Sequence, residues 1–388
     1  MGTRRQFLSR SAGFGLFALG APGPRFWQRA AAATEAKAGL PVLVVVELGG
    51  GNDGLNTVVP YADDLYAKAR PTLRIEPKTV LKLNDRVGLH PSLKDLHKLW
   101  EAGDLAVVQG VGYPNPNRSH FRAMEIWHAG EAGPVPDAGW LGRLADIQPS
   151  LGPCYVGSEA TPLSVRARRF FTPSIASLSD YRIQPGTLKT SGRTTPPADE
   201  LTREVQRRLQ AAFARAAQLE AVARDLPKAE SGSLEERLAT IRVLIEHDPA
   251  LRVFYTSTNG FDTHAAQKFT HRELLRSVSS AVAQFLADLR GQGLGERVVV
   301  LMFSEFGRRV RENAQQGTDH GTAGPVFLAG APVRGGLIGS APDLANLDEG
   351  DLKFAVDFRD VYATLLRRWV NVDPVPILGR RDEALPLF

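Results

Sequence analysis

The 388-residue chain contains one cysteine, Cys154, and three methionines. A single cysteine excludes an intramolecular disulfide framework and any zinc ribbon built on thiolates. Beyond residue 33 no apolar run approaches the roughly 18–20 uninterrupted residues that cross a bilayer as a helix, so a soluble protein without a stable membrane span is expected. No G-x-S-x-G elbow and no G-x-x-x-x-G-K-S/T phosphate loop occurs, which removes two common routes to nucleophilic and nucleotide chemistry. An excess of one charge is also missing from most of the chain. Its 47 Lys and Arg stand against 42 Asp and Glu, but the first 33 residues hold five arginines and no acid. The remainder is therefore balanced, and a nucleic-acid partner, which needs a basic face, is not expected. Arg166, Arg168 and Arg169 form too short a cluster to be more than a solvated loop.

What is present begins at the N-terminus. Thr3-Arg4-Arg5-Gln6-Phe7-Leu8 sets an arginine pair before an apolar pair, and a weakly apolar stretch rich in Gly and Ala follows from Ala12 to Ala21. Ala30 to Ala33 then offers small residues for cleavage. This order is that of a twin-arginine signal peptide over residues 1–33, so the translocase of that pathway is an expected partner and the periplasm or the cell exterior the expected destination. Folding in the reducing cytoplasm before export agrees with the single cysteine.

Residues 34–388 are long enough for one large α/β domain. Pro41 to Leu48 is a continuous apolar run with β-branched residues, the pattern of a strand buried on both faces of a parallel sheet. Leu105 to Val111, Leu251 to Ser257, Arg297 to Phe303 and Pro325 to Ala329 read likewise. Helical patterns fall between them at His90–Ala102, Ser119–Ala129, Ala265–Arg290 and Asp357–Val370. Strands alternating with helices predict a doubly wound, mostly parallel α/β sheet. Residues 183–199, rich in Thr, Pro and Gly, predict a linker, and 200–248 a helical insertion of two amphipathic helices, Glu200–Arg224 and Ser233–His247.

Three of the strands run into polar clusters: Gly49-Gly50-Gly51-Asn52-Asp53-Gly54, Asn259-Gly260-Phe261-Asp262-Thr263-His264, and Ser304-Glu305-Phe306-Gly307-Arg308. Ligands of open α/β sheets bind beyond the carboxyl ends of the strands, which is where these side chains arrive. Gly49, Gly51 and Gly54 match G-x-G-x-x-G, but Val58-Val59-Pro60 is a poor helix start and Asp53 would oppose a pyrophosphate. A carboxylate on a tight glycine turn suits a cation better, or else caps backbone N–H groups. Asp262 and His264, two apart, share a face of extended backbone, and His320 lies in a Gly-rich loop. Two imidazoles and a carboxylate form a reasonable zinc set, with Asp53 and Glu305 as further metal candidates. Ser119, before a helix, reads either as an N-cap or as a nucleophile at an anion-favouring helix end. Cys154 has no obvious base nearby. His90, His97, His128, His247 and His271 fall at helix positions where structural histidines are common.

The stretches Glu47–Asn56, Arg118–Phe121, Gly260–His264, Ser304–Arg308 and Asp319–Gly324 together resemble a large family of bacterial twin-arginine-exported proteins whose domain has no assigned function. That family in turn looks like a distant branch of the alkaline phosphatase and sulfatase superfamily. The resemblance implies a doubly wound sheet, one or two divalent metal ions, zinc among the candidates, and hydrolysis of a phosphate or sulfate ester. It places Asp53 as a metal ligand after the first strand, Ser119 as the nucleophile, and Asp262, His264 and His320 at the first metal. Glu305 stands for the Asp of a late Asp-His-Gly motif, and Arg118 or Arg308 would stabilise the anionic centre. Two departures stand out: Phe306 replaces that motif's histidine, and the Asp-to-His spacing is two rather than four. The resemblance thus leaves two readings, a single-metal hydrolase and a non-catalytic binding or assembly protein on the same fold.

Overall fold

Eight consecutive residues, Val42–Gly49, form strand β1, and every one of them is buried. Their side chains alternate between two cores. Val42, Val44, Val46 and Leu48 enter one apolar cluster, and Leu43 and Val45 enter the other. That period of two is what a strand covered on both faces requires. The structure is a computed structural model that describes residues 39–176 and 232–388, apart from 132, 134, 135, 381 and 382. The expected signal peptide, the linker at 183–199 and the helix expected at Glu200–Arg224 lie outside the described residues.

β2 (Val58–Val59), β3 (Leu81–Lys82) and β4 (Gly88–Leu89) make a separate three-stranded sheet. The main sheet adds β5 (Leu105–Gly112), β6 (Pro153–Val156), β7 (Ser174–Ile175), β8 (Val253–Asn259) and β9 (Val298–Phe303). It is completed by β10 (Gly324–Ala329), β11 (Gly336–Ile338) and β12 (Val356–Asp357). The order is β11-β5-β10-β9-β1-β8-β6-β7, with β12 beside β5. Every pairing is parallel except those of β10, which runs antiparallel to β5 and to β9.

The expected α/β fold with a mostly parallel sheet is thus present, and helices cover both faces. Lys94–Glu101, Leu234–His247 and Gln267–Gly291 contribute to the first core. His120–Ala129, Trp140–Ile147 and Phe358–Thr364 contribute to the second. Leu234–His247 is the described part of the expected insertion. A full capping box, Ser233 with Glu236, starts it, and it packs on Gln267–Gly291 and β8. The helix expected over 357–370 divides, because Leu365–Trp369 continues it as a π-helix. β6, β7 and the helix Trp140–Ile147 were not expected, since short elements leave little periodicity to read.

The direction of β10 decides where its preceding loop arrives. Parallel strands deliver the residues that come after them to one edge, whereas an antiparallel strand delivers the residues that precede it. His320 precedes β10, and Gly324 pairs with Val111 at the C-terminal end of β5. The loops after β1, β5, β8 and β9 and the loop before β10 therefore meet at a single edge.

Trp127 anchors the second core, stacked on Phe303 at 5.0 Å and Phe358 at 4.4 Å between ring centroids. Replacing Trp127 with Ala is expected to lower the unfolding free energy by about 3–5 kcal/mol. Denaturant unfolding reads this directly, and a loss below about 1 kcal/mol would show the stack to be dispensable.

Candidate metal centre

At the edge the chain must turn tightly. Gly50 and Gly51 have φ of +114° and +69°, values that side-chain-bearing residues rarely adopt. A Cβ on Gly50 would also stand 2.5 Å from the Asp262 backbone nitrogen. The turns after β1 and β8 are thus in direct contact, and Arg308 locks them together. Its guanidinium, 2% exposed, donates from Nε to Gly51 O at 2.6 Å and from Nη1 to Thr318 O at 2.8 Å. Nη2 donates to Gly50 O, to Phe261 O at 3.1 Å and to Asp262 Oδ1 at 2.6 Å.

Around that same carboxylate oxygen three imidazoles gather. Asp262 Oδ1 lies 3.3 Å from His120 Nε2, 3.1 Å from His264 Nε2 and 3.2 Å from His320 Nε2. The two latter nitrogens are 2.9 Å apart. Each ring's other nitrogen has an acceptor of its own. His120 Nδ1 is 2.7 Å from Glu305 Oε1, His320 Nδ1 2.7 Å from the Arg118 carbonyl, and His264 Nδ1 3.3 Å from Asp319 Oδ1. Carbonyls and ionised carboxylates only accept, so a neutral ring at each place carries its proton on Nδ1. The three Nε2 lone pairs then point at one another and at a carboxylate, an arrangement that is repulsive without a cation among them. His120 Nε2 is buried and has no hydrogen-bond partner.

Four ligand atoms bound about 2.0–2.1 Å from one tetrahedral zinc stand about 3.3 Å apart. The three distances to Asp262 Oδ1, 3.3, 3.1 and 3.2 Å, match that spacing, and Nδ1 bonded to a carbonyl or carboxylate is the usual outer support of a metal-binding histidine. The donor set therefore fits a divalent cation. His120, Asp262 and His320 are the one group of this kind found among the described residues, and His264 adjoins it.

Charge follows the geometry. Burial raises the Asp262 pKa, but the bond and the charge of Arg308 outweigh it and hold the carboxyl at about 2. The His120 pKa is raised, chiefly by its bond to Glu305 against the effect of burial. His320 is lowered, chiefly by burial. Glu305 stays ionised although burial opposes it, because His120 and backbone N–H groups bond to it.

Of the residues expected from sequence, Asp262, His264 and His320 come together. Glu305 is buried one step behind them, accepting from Gly50 N–H at 3.0 Å and from His120. Asp53 is fully buried in a bidentate pair with Arg70 at 2.6 and 3.0 Å. Gln267 also donates to Asp53, at 2.5 Å. The same Gln267 accepts from Thr263 at 3.0 Å and from Thr318 at 2.6 Å, so the Asp53 network ties down the loops that carry His264 and His320. Arg308 spends all three nitrogens inside the protein. Arg118 keeps a 38% exposed side chain beside the cluster, paired with Asp351. Ser119 is an N-cap whose side chain makes no capping bond, and it is exposed next to His120.

His120 is the member of the cluster that sequence reasoning passed over, although Ser119 beside it was weighed. Its signal was position alone: a histidine opening a helix after the loop that follows the buried strand Leu105–Gly112. Gln267, Thr263 and Thr318 carried no signal, because amides and hydroxyls in loops are common. A cavity of about 950 Å³ is lined by none of the cluster residues.

The Asp53–Arg70 pair makes a pH prediction. Burial raises the Asp53 pKa, but Arg70 more than offsets it and brings it down from 3.8 to about 2. A depressed carboxyl pKa contributes stability above the unfolded value, lost as pH falls toward the folded one. Unfolding free energy should therefore fall between about pH 4 and pH 2. Asp53→Asn should cost about 3–5 kcal/mol at neutral pH, by stranding buried Arg70, and should flatten that part of the profile. An unchanged acid limb in the variant would assign the titration elsewhere.

Comparison with known proteins places the chain. No curated protein matches it. Among solved structures it is similar to a protein of the alkaline phosphatase superfamily from Vibrio parahaemolyticus, at 11% identity and a TM-score of 0.43, over 92% of this chain and 77% of that one. It is similar to the C-terminal periplasmic domain of EptC from Escherichia coli in complex with Zn, at 9% identity and a TM-score of 0.40, over 76% and 74%. Murine ectonucleotide pyrophosphatase/phosphodiesterase 5 in complex with AMP matches at 11% and 0.40, over 89% and 97%. Residues 41–374, most of the chain, match the family described as "Protein of unknown function (DUF1501)", and the chain belongs to that family.

Proposed function

We propose that the chain is an exported, divalent-metal-dependent hydrolase of phosphate or sulfate esters. The observation that carries this reading is the convergence of three histidine Nε2 atoms on Asp262 Oδ1, each ring held by an acceptor at Nδ1. His120, Asp262, His264 and His320 would hold the cation. When bound, a divalent ion there supplies Lewis acidity, neutralising charge on an ester oxygen and favouring ionisation of a nearby hydroxyl.

The chain's own residues supply the rest. Ser119 sits at the start of the helix His120–Ala129, one residue from a ligand, with its hydroxyl not engaged in capping. In this reading Ser119 Oγ attacks phosphorus or sulfur, the bond to the alcohol oxygen breaks, and water then releases the acid from the serine. Arg118, partly exposed beside the cluster and paired with Asp351, is the arginine that would meet the anionic group, since Arg308 is committed to backbone carbonyls and Asp262. Phe306 packs against the His120 and His320 rings at 4.9 Å, which suits a single ion. Export rests on the Arg4-Arg5 signal. No helix among the described residues is long and apolar enough to cross a membrane.

Elemental analysis and an ester panel test the assignment together. Wild type should hold about one equivalent of zinc, manganese or a similar ion and hydrolyse a phosphate or sulfate monoester. His120→Ala should lose the metal, whereas Ser119→Ala should keep it and lose at least about a thousandfold in turnover. Folded wild type that binds no divalent ion would remove the metal centre. Metal without any esterase activity would favour a binding protein on this fold.

A further inference from the structure

Beside the cluster opens a cavity of about 690 Å³, within the range of small-molecule sites. Its walls are the loop after β5, including Asn115, Asn117 and Arg118, and the segment Asp348–Phe354, joined by Thr322. Two of its lining residues connect it to the reacting centre. The carbonyl of Arg118 lies against His320 Nδ1, and Asn117 Oδ1 accepts from the Ser119 N–H at 2.8 Å. Any ester held with its acid group at Ser119 and the histidines would have this cavity for its alcohol portion.

The chemistry of the lining is specific. Three carboxylates of the lining, Asp348, Glu349 and Asp351, meet two cations of the lining, Arg118 and Lys353, and a third, Arg309, reaches Asp351 from outside it. Arg118 Nε donates to Asp351 Oδ2 at 2.7 Å and its Nη2 is 3.7 Å from Glu349. Arg309 Nε is 3.7 Å from Asp351 Oδ1, and Lys353 Nζ donates to Asn346 at 2.6 Å. With Arg309 counted behind Asp351 the signs balance, so the site favours neither a cationic nor a further anionic group. It offers instead closely spaced donors and acceptors: the side-chain amides of Asn115 and Asn117 and the exposed Glu349. Phe354, 39% exposed, adds an apolar face. Asp351, 1% exposed, has an Oδ1 with no hydrogen-bond partner, so an acceptor is left over beneath this surface. Neutral hydroxyls, which both donate and accept, satisfy such a wall, and an aromatic face takes the C–H side of the same molecule.

We infer that this cavity binds the alcohol portion of the ester, and that this portion is a neutral, hydroxyl-rich group such as a sugar or other polyol. The inference rests on the hydrolase reading for its placement and adds the substrate class.

The test compares metal-loaded protein on a hexose phosphate and sulfate, on phosphoethanolamine, and on 4-nitrophenyl phosphate and sulfate. Wild type should prefer the hexose ester. Glu349→Gly and Asn115→Gly keep the positive-φ backbone at both positions (49° and 54°), and Phe354→Ala removes the apolar face. Each should lower kcat/KM for the hexose ester by about tenfold, the loss of one good contact, and Glu349→Gly and Asn115→Gly should leave the 4-nitrophenyl ester within about twofold. Unchanged metal content and circular dichroism would establish that the variants are folded. Preference for phosphoethanolamine, or equal effects on every ester, would overturn the inference. If no ester is hydrolysed, the hydrolase reading fails and calorimetry with the free hexose decides. Saturable binding weakened by the same variants keeps the polyol site, and no binding to wild type removes it.

Discussion

One buried guanidinium holds the site edge closed. Arg308 satisfies the carbonyls of Gly50, Gly51, Phe261 and Thr318, which belong to three separate excursions of the chain, and its charge is met by Asp262. Backbone carbonyls in tight turns at a sheet edge have no ladder partners, and leaving them buried and unpaired is costly. A lysine has the charge but lacks the planar fork that reaches several acceptors at once. The same hydrogen-bonding requirement explains why Asp262 can stay ionised among three rings. Arg308 fixes one of its oxygens from the protein side, and that oxygen then faces the imidazoles.

Behind this clamp lies a second support of different character. Asp53, Arg70 and Gln267 are all fully buried, and Gln267 passes their order outward to Thr263 and Thr318. The helix His120–Ala129 is held at both ends by carboxylates of the strands or their loops. His120 meets Glu305 at one end, and His128 lies 2.6 Å from Glu47 of β1 at the other. Buried carboxylate–imidazole contacts of this kind resist rotation and translation of a helix more than apolar packing does, since they are directional. Ser119 and His120 are thereby presented from a rigid base.

Much of the fold was legible because its strands are buried on both faces. Such strands read as apolar runs rich in Val and Leu, with Phe and Tyr in β8, and five were located within two residues at each end. β6 and β7, four and two residues long, carry too few side chains to set a period. The placement of polar clusters at strand ends was also legible, and with it Asp262, His264 and His320. What sequence could not separate was a carboxylate at the cluster from one behind it. Asp53 and Glu305 both follow buried strands as Asp262 does, and only three-dimensional partners, Arg70 for one and Gly50 with His120 for the other, distinguish them. His120 escaped for the opposite reason: it lies after the loop that follows β5, so its distance from the strand end hid it.

The reversed strand β10 shifts its register against β5 between Gly324 and Val326, at Pro325, a residue with no N–H to give to a ladder. Each residue of strand advances about 3.3 Å, close to the spacing between neighbouring donors in the cluster. The irregularity thus acts as a shim. It lets Val326 to Ala329 keep the alternation the two cores demand, while Gly324 stays paired with Val111 at the edge where the His320 loop enters the strand.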